Sequence, residues 1–489
     1  MTSSTSAALE SLREALPGRV INPDGDASAS GSADFTTLTN QPWSSTCWQT
    51  AAGYIFPENA AEVATALSII KQTGIKFVVR STGHNPNPGF SSIGPDGVVL
   101  DVGKLQSSEL VDDNNGNNKI AQIGAGNRWG AVYDWLEEQG LSVIGGRDPG
   151  VGMGLLLGGG MGAIPNLHGL GTDGIAGFEV VLSDGHIVNA TPQENADLYR
   201  ALKGGGSNFG IITRFDLHTH PLIPLQYSIT LYNPTDYTNI NRATLNLQET
   251  MESDPKLGSF TNYQPTFVAV GLIRAGDEAA SASEGEIEAF KPFDALESKM
   301  MTVCPTTNGT IGSLAKAMTH AVGEDKKKHI GTLTTLPSET LYNEVNTAWR
   351  EALDLLPKDA VLHYTIQPVG SACVREGEKK HGGNVFGLKA VPQCWWVFTV
   401  EWPRESTPED DEAARKSVNY LREKVEAAAK ARDQLLPFLS ATFASSEQPV
   451  LQSYGVENVE GIRAAAQKYD PEGVFQKQQA GGFLLRDVK

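Results

Sequence analysis

The chain has 489 residues and a formal net charge of −18, and glycine, at 51 positions, is its one over-represented residue type. This length allows two or three domains with a large core. The acidic balance argues against a nucleic acid or an anionic membrane as partner, because phosphate binding needs a basic surface. Four scattered cysteines form no CxxC pair, which excludes a zinc ribbon or a thioredoxin-type centre.

Short strands and helices alternate over residues 40–220. Apolar spacing predicts a helix over 58–73 and a second, ending at Gly140, over 129–139. The turn Ser183–Gly185 predicts a hairpin. The other predicted elements here are strands at 76–80, 97–102, 120–124, 176–182, 186–189 and 210–218 and a helix at 194–202.

The pattern changes after residue 223. The predicted elements are longer strands at 226–231, 260–273, 360–367 and 393–400 and polar helices at 237–253, 339–356 and 408–434. This pattern predicts an antiparallel sheet backed by helices. From about residue 440 the earlier character returns, with a helix predicted at 459–468. We therefore expect an α+β chain with one domain formed by 1–223 and 440–489 and another by 224–439.

The strand at 394–402 is rich in tryptophan. Its alternation places Trp396, Phe398 and Val400 on one face and Trp395, Val397 and Glu401 on the other. One face is expected to join the core, and the other to line an apolar or aromatic substrate pocket.

Neither end of the sequence carries a recognisable targeting signal. Residues 1–15 lack the basic and apolar regions of a secretory signal. The uncharged stretch 150–165 is too short and too rich in glycine for a membrane span. We therefore expect a cytoplasmic protein without a membrane partner, and we predict no particular oligomeric state.

Much of the glycine excess falls in three clusters, at 81–85, 145–160 and 203–210. Glycine lets the backbone approach a ligand closely and present N–H groups to anionic oxygens. A Walker A loop is absent from the sequence, and the spacing Gly152, Gly154, Gly158 misses the GxGxxG dinucleotide fingerprint by one residue. Three such clusters in one domain favour an extended anionic ligand such as a dinucleotide.

Signatures of other chemistries are missing from the sequence. It contains no HExxH, no carboxylate cluster beside His218 and His220, and no GxSxG elbow. We therefore predict no metal site. His84 stands apart, because it follows a strand, sits in a glycine turn and would lie beside whatever the glycines bind.

These motifs resemble those of the berberine bridge enzyme-like flavoproteins of the vanillyl-alcohol oxidase / p-cresol methylhydroxylase superfamily. Arg80-Ser81-Thr82-Gly83-His84 resembles their Arg-Ser-Gly-Gly-His turn, and residues 146–160 resemble the second flavin loop. Residues 197–213 are similar to the third signature, 453–475 to the C-terminal return, and 382–388 to the substrate domain of fungal members. The resemblance implies a p-cresol methylhydroxylase-type FAD-binding domain joined to a substrate domain.

The resemblance also implies FAD as cofactor, held by the first two loops and bonded through its 8α-methyl group to His84. Asp148 stands where bicovalent members carry a cysteine, so we expect no second, cysteinyl link. The residues assigned to FAD binding are Arg80, Ser81, Thr82, Gly83, His84, Asn85, Gly146, Asp148, Val151, Gly152, Gly154, Leu155, Gly158, Gly159, Ile211 and Tyr454.

The catalytic base stays open. Many members carry a tyrosine near the substrate, where this sequence has Phe443, and a phenyl ring accepts no proton. The candidates for the base are His363, Tyr364, Glu401 and Asp148. A small residue at the position of Val151 accompanies oxidase behaviour in the family, which favours O2 as electron acceptor.

The sequence therefore predicts an FAD-dependent oxidase. It would remove hydride from a C–H next to N or O of a small secondary-metabolite-like substrate and give H2O2. The alternatives are a carbohydrate or alcohol oxidase, a flavin dehydrogenase, and a redox-neutral cyclase in which FAD has only a structural role. The cyclase is considered because Phe443 replaces the family's tyrosine. A solute-binding module without catalytic activity is disfavoured, because it would give His84 no chemical role.

Overall fold

The computed structural model describes residues 3–23, 34–113, 116, 118–277, 287–318, 325–380 and 382–488. These residues form four β-sheets, three of them from segments before residue 222 and the fourth from residues 225–436. Helices and antiparallel sheets occur together, so the α+β class is confirmed. Within these ranges, none of the helices is long and apolar enough to cross a bilayer.

The first sheet has the order β1-β2-β4-β3, and β2, β4 and β3 are parallel. Helix α3 connects β2 to β3. It begins after Asn59, whose side chain accepts a hydrogen bond from the Glu62 amide, and it ends at the left-handed Gly74. The elements of this part are α1 (Ser3–Ala15), β1 (Val20–Ile21), α2 (Phe35–Thr39), β2 (Gly53–Ile55), α3 (Ala60–Thr73), β3 (Lys76–Arg80) and β4 (Gly97–Asp101).

The second sheet is antiparallel, with the order β5-β6-β10-β8-β9, and β7 pairs with β11 in a small ribbon. The predicted hairpin at Ser183–Gly185 is confirmed as β8 and β9. The elements are β5 (Ser108–Asp112), β6 (Lys119–Gly124), α4 (Trp129–Glu137), β7 (Leu141–Ser142), α5 (Pro165–His168), β8 (Ile175–Leu182), β9 (Ile187–Ala190), α6 (Ala196–Leu202), β10 (Gly210–His218) and β11 (His220–Pro221).

The large sheet has eight antiparallel strands in the order β15-β12-β14-β13-β17-β18-β16-β19. The predicted single strand over 260–273 is wrong, because the chain reverses after Tyr263 and the Gln264 amide donates to the Phe267 carbonyl. The strands are β12 (Leu225–Tyr232), β13 (Leu257–Tyr263), β14 (Val268–Ala275), β15 (Lys299–Gly309), β16 (Lys326–Thr335), β17 (Val361–Val369), β18 (Gln393–Pro403) and β19 (Leu435–Leu436).

Helices cover one face of the large sheet. Trp396 on β18 makes an edge contact with Tyr342, with ring centroids 5.1 Å apart, so the face with Trp396, Phe398 and Val400 belongs to the core. The helices in this stretch are α7 (Tyr237–Thr250), α8 (Lys291–Asp294), α9 (Ile311–Ala317), α10 (Glu339–Leu353), α11 (Ser371–Lys379) and α12 (Pro408–Ala431).

The C-terminal segment packs on the N-terminal part of the chain. Gln479 bridges in parallel to Phe77 on β3, and the Ala480 amide donates to the Phe77 carbonyl at 2.8 Å. The helices are α13 (Val450–Ser453), α14 (Val456–Tyr469) and α15 (Val474–Lys477). Short 3₁₀ helices lie at Ser45–Cys47, Val102–Lys104, Met153–Gly158, Gly171–Gly174, Pro234–Asp236, Glu288–Phe290 and Leu485–Asp487. The domain limits at 223 and 439 stay predictions.

Candidate functional site

The turn Ser81–Asn85 follows β3 directly. Gly83 has φ +74°, and a Cβ there would lie 3.2 Å from the Pro42 Cα atom, so only glycine fits easily. The Gly83 carbonyl accepts a hydrogen bond from the Trp43 amide at 3.0 Å. The turn is therefore fixed against residues 42–43.

The Arg80 side chain points inward from this turn. Its Nε donates to Asp101 Oδ2 at 2.7 Å, its Nη1 donates to the Leu38 carbonyl at 2.9 Å, and its guanidinium lies over the Tyr54 ring. The residue is 1% exposed. The structure therefore supports Arg80 as an anchor of the strand end.

The second glycine loop lies on this turn. A Cβ on Gly152 would be 2.7 Å from Thr82 Cγ2, and a Cβ on Gly150 would be 3.2 Å from both His84 Nε2 and Asp148 Oδ1. Asp148 Oδ1 also accepts a hydrogen bond from the Gly150 amide at 2.7 Å. Two loops more than 60 residues apart in sequence are thus in contact, and they place His84 beside Asp148.

Helix α4 holds the second loop in place. The Trp129 amide donates to the Val151 carbonyl at 2.9 Å, and the Tyr133 hydroxyl donates to the Gly146 carbonyl at 2.7 Å. A Cβ on Gly146 would lie 2.7 Å from the Trp129 indole. The buried indole N–H of Trp129 has no hydrogen-bond partner among the described residues, which leaves a donor for a ligand at this loop.

The second half of the loop, residues 154–159, contacts the C-terminal part of the chain. The Thr442 hydroxyl donates to the Gly158 carbonyl at 3.3 Å. A Cβ on Gly159, where φ is +113°, would contact Phe386. Gly154, by contrast, is exposed and has no atom within 4 Å of its Cβ position, and Leu155 beside it is half-buried. This loop is packed on one side and open on the other.

The third glycine cluster has a packing role. A Cβ on Gly204 would lie 2.7 Å from Val385, and the Asn208 side chain donates to the carbonyls of Gly205 and Phe483. Ile211, expected to bind FAD, is 2% exposed within β10. Gly204 thus lets the chain pack against the 382–388 segment, and Asn208 connects the cluster to the C-terminal segment at Phe483.

Tyr454, also expected to bind FAD, is enclosed between Phe386 and Phe438. Its buried hydroxyl has no hydrogen-bond partner in the described part of the chain. Burial raises the pKa of this phenol, so the hydroxyl stays protonated and can donate to a ligand.

The face of the large sheet that is not covered by the helices, called the open face below, carries a polar cluster. Lys328 and Val361 lie opposite Glu401 in the ladder, and His363 lies opposite Thr399. Lys328 Nζ donates to Glu401 Oε1 at 2.8 Å, and Asn262 Nδ2 lies 3.2 Å from His363 Nδ1. Paired residues share a sheet face, so these side chains form one surface.

This polar cluster connects to the first glycine turn. The Lys328 ammonium lies 4.7 Å from the centre of the Trp43 ring, and the Trp43 ring is stacked on His84 at 6.1 Å with an interplanar angle of 11°. The Lys328 amide also donates to the Ser44 hydroxyl at 2.9 Å. Lys328 has no motif around it, so reasoning from the sequence missed it.

Burial by itself would raise the pKa of Glu401, but chiefly the charge and the hydrogen bond of Lys328 act in the opposite direction, and the pKa lies below its ordinary value. Glu401 is therefore ionised at neutral pH. A carboxylate neutralised by an ammonium is a weak base, so Glu401 is a less suitable candidate for the catalytic base.

The structure does not support Tyr364 as the base. Because neighbouring residues on a strand point to opposite faces, Tyr364 faces the helices, whereas His363 faces the site. Its ring is stacked on Tyr263 at 4.6 Å, and its hydroxyl accepts a hydrogen bond from Asn346 at 3.0 Å. Burial raises its pKa far above the ordinary value, so the phenol is part of the core.

These observations fit a bound FAD. The glycines at 150 and 152 let two loops meet at His84, Gly154 opens to one side, and buried donors at Trp129 and Tyr454 lack partners among the described residues. In the same part of the chain, no group of three or more His, Cys, Asp or Glu side chains is arranged to hold a metal ion.

Comparisons with known proteins identify the family of the chain. Residues 51–191 match the FAD binding domain family. FAD-dependent monooxygenase AOL_s00215g279 of Arthrobotrys oligospora is 36% identical over 451 residues, covering 92% of this chain and 85% of the relative. The fold and the site define an FAD-linked oxidoreductase with a p-cresol methylhydroxylase-type fold.

Two solved structures share the fold. BBE-like 1 of Physcomitrella patens has a TM-score of 0.75 at 20% identity, covering 97% of this chain and 99% of that one. Glucooligosaccharide oxidase of Acremonium strictum, with 6-S-cysteinyl, 8α-N1-histidyl FAD, has a TM-score of 0.75 at 18% identity, covering 96% and 98%. The chain belongs to the berberine bridge enzyme-like family of FAD-dependent oxidoreductases in the vanillyl-alcohol oxidase / p-cresol methylhydroxylase superfamily.

Proposed function

We propose that this oxidoreductase is an oxidase that removes hydride from a C–H next to N or O of a small organic molecule and passes the electrons to O2, giving H2O2. The observation that carries the proposal is the contact between the two glycine loops at His84, opposite a polar sheet face with His363, Glu401 and Lys328. When bound, FAD supplies the two-electron acceptor.

His84 is proposed as the covalent attachment point. Its ring is half-buried between the Trp43 ring and the Asp148 turn. The named histidyl link of glucooligosaccharide oxidase supports this assignment. Asp148 replaces a cysteine here, and its Oδ1 is held by the Gly150 amide, so a single link is proposed.

His363 is proposed as the base that accepts the proton from a substrate hydroxyl or amine. It is half-buried on the open face, and Asn262 orients its ring. Glu401 is neutralised by Lys328, and Asp148 is bonded to its own turn. A neutral imidazole is the suited base near pH 7.

A monooxygenase is the second candidate. The relative from Arthrobotrys oligospora, 36% identical, carries that name. In this reaction one oxygen atom of O2 would enter the organic product, and the other would leave as water, with the two further electrons taken from the substrate. The polar face at His363 suits a hydroxylated substrate in either case.

Stopped-flow mixing of photoreduced protein with aerated buffer tests the proposal. An oxidase is expected to reoxidise rapidly and to release one H2O2 per flavin. Slow reoxidation contradicts the oxidase and leaves a dehydrogenase. Turnover of a panel of phenols, alcohols and amines under ¹⁸O2 separates the second candidate, because only a monooxygenase places ¹⁸O in the product.

A further inference from the structure

Arg147 lies one residue before Asp148 and leaves the second glycine loop towards the large sheet. Its guanidinium donates a hydrogen bond to Gln367 Oε1 on β17. Gln367 is 1% exposed, and it lies opposite Trp395 on the same sheet face as His363. The arginine thus spans the space between the loop and the open face of the sheet.

The Arg147 guanidinium has no acidic counter-charge in the described part of the chain. Among the described residues, its polar contact is with the neutral Gln367 amide. Burial lowers the pKa of Arg147 to about 10, and no carboxylate opposes this effect. Arg147 is half-buried, and a cation held partly out of water without a counter-charge favours an anionic partner, which we expect to come from outside the protein.

Gln367 adds a second unused donor. Its Nε2 is buried and has no hydrogen-bond partner among the described residues. The guanidinium has five N–H groups, and the contact with Gln367 Oε1 uses one of them. The pair therefore presents several donors and no free acceptor, which is the chemistry that recognises a carboxylate.

We infer that Arg147 and Gln367 bind a carboxylate of the substrate. This inference rests on the proposed function, because it names the substrate class of that same site: a small organic acid. His363 lies four residues from Gln367, about 13 Å along the strand. One molecule of modest size can thus place its carboxylate at Arg147 and its reacting carbon towards His363.

The test uses the purified holoenzyme with two probes of the same shape, benzoate and its neutral analogue benzamide. Binding is measured by isothermal titration calorimetry and by the change in flavin absorbance. Wild-type protein is expected to bind benzoate at least about tenfold more tightly than benzamide, because charged hydrogen bonds are the stronger ones. R147M should remove this preference and leave FAD content and benzamide binding unchanged.

Two further variants keep the result interpretable. Q367E places a carboxylate beside Arg147 with almost no change of shape, and it should remove the preference for benzoate as R147M does. R242M, which removes an exposed arginine on α7, should keep the preference and controls for net charge.

Equal affinity for the two probes in the wild type, or binding of neither, overturns the inference. Retention of the benzoate preference in R147M also overturns it. If R147M loses FAD but keeps the preference for benzoate, Arg147 serves in cofactor binding, and the inference is again contradicted. A protein that is colourless as purified and cannot be reconstituted contradicts the proposed function instead, and calorimetry with benzoate still reports on Arg147.

Discussion

The Lys328 ammonium and the Glu401 carboxylate form an ion pair of 2.8 Å on the open face of the large sheet. Lys328 is 5% exposed, and its ammonium also lies over the Trp43 ring, which stacks on His84. The pair therefore connects strands β16 and β18 to the turn that carries the proposed flavin attachment.

Replacing Lys328 by Met is expected to destabilise the protein by about 2–4 kcal/mol. Leaving one member of a buried pair unpaired typically costs about 3–5 kcal/mol, and the cost is lower here because the Glu401 side chain is 22% exposed and its Oε2 lies 4.0 Å from Lys326 Nζ. Urea unfolding measures the effect. K328R retains the charge and should recover most of the stability; equal loss in K328M and K328R would show that packing, not charge, matters.

The same pair predicts acid sensitivity. The pKa of Glu401 in the folded state lies below its ordinary value, so its stabilising effect is present above the unfolded pKa of about 4.3 and is lost as the pH falls through the folded value. The difference in unfolding free energy between wild type and E401Q should therefore shrink below about pH 4.3. A difference that stays constant from pH 7 to pH 3 contradicts this.

Replacing His84 by Ala is expected to leave FAD that dissociates. In the wild type, acid precipitation should keep the yellow colour in the pellet, and in H84A it should release the colour to the supernatant. D148N serves as control, because it keeps the shape of the turn and should leave the bond intact. Complete release of FAD from the wild type would exclude the covalent link.

Replacing Gly152 by Ala is expected to separate the two loops and reduce FAD content. The new Cβ would lie 2.7 Å from Thr82 Cγ2 and 3.0 Å from Ser81 Oγ, an overpacking that costs about 1–3 kcal/mol. G461A in α14 is the matched control, since nothing lies within 4 Å of that Cβ position. Flavin absorbance per protein distinguishes them, and equal flavin content would mean that loop contact is unimportant.

His363 and Tyr364 are neighbours on one strand with opposite expected roles. H363Q should lower kcat at neutral pH by about 10²–10⁴-fold if the imidazole is the general base, with little change in stability. Y364F should leave kcat near the wild-type value and cost about 1 kcal/mol of stability, because it loses one buried hydrogen bond. Turnover assays and urea unfolding check both variants, and the reverse outcome would assign the base to the tyrosine.

Local signals in the sequence predict many of the individual elements, though not the central strand β16. Helix α3 begins within two residues of its predicted start because Asn59 caps it. The predictions are wrong where the pairing of strands distant in sequence determines the structure. The sequence pattern does not predict strand β15, because it is an exposed edge strand with Pro305 in it, and it predicts 260–273 as one strand although this segment contains the turn between β13 and β14.

The sequence by itself determined the class of protein and its cofactor, because the glycine turns, His84 and the C-terminal return are carried by contiguous residues whose chemistry does not depend on distant partners. Only the tertiary structure decided which side chains meet at the site. The pairing of β17 with β13 and β18 places His363 on the open face and Tyr364 in the core. The same folding brings Lys328 to Glu401 and Arg147 to Gln367, since strand register and the contact of distant loops are set by packing across the whole chain.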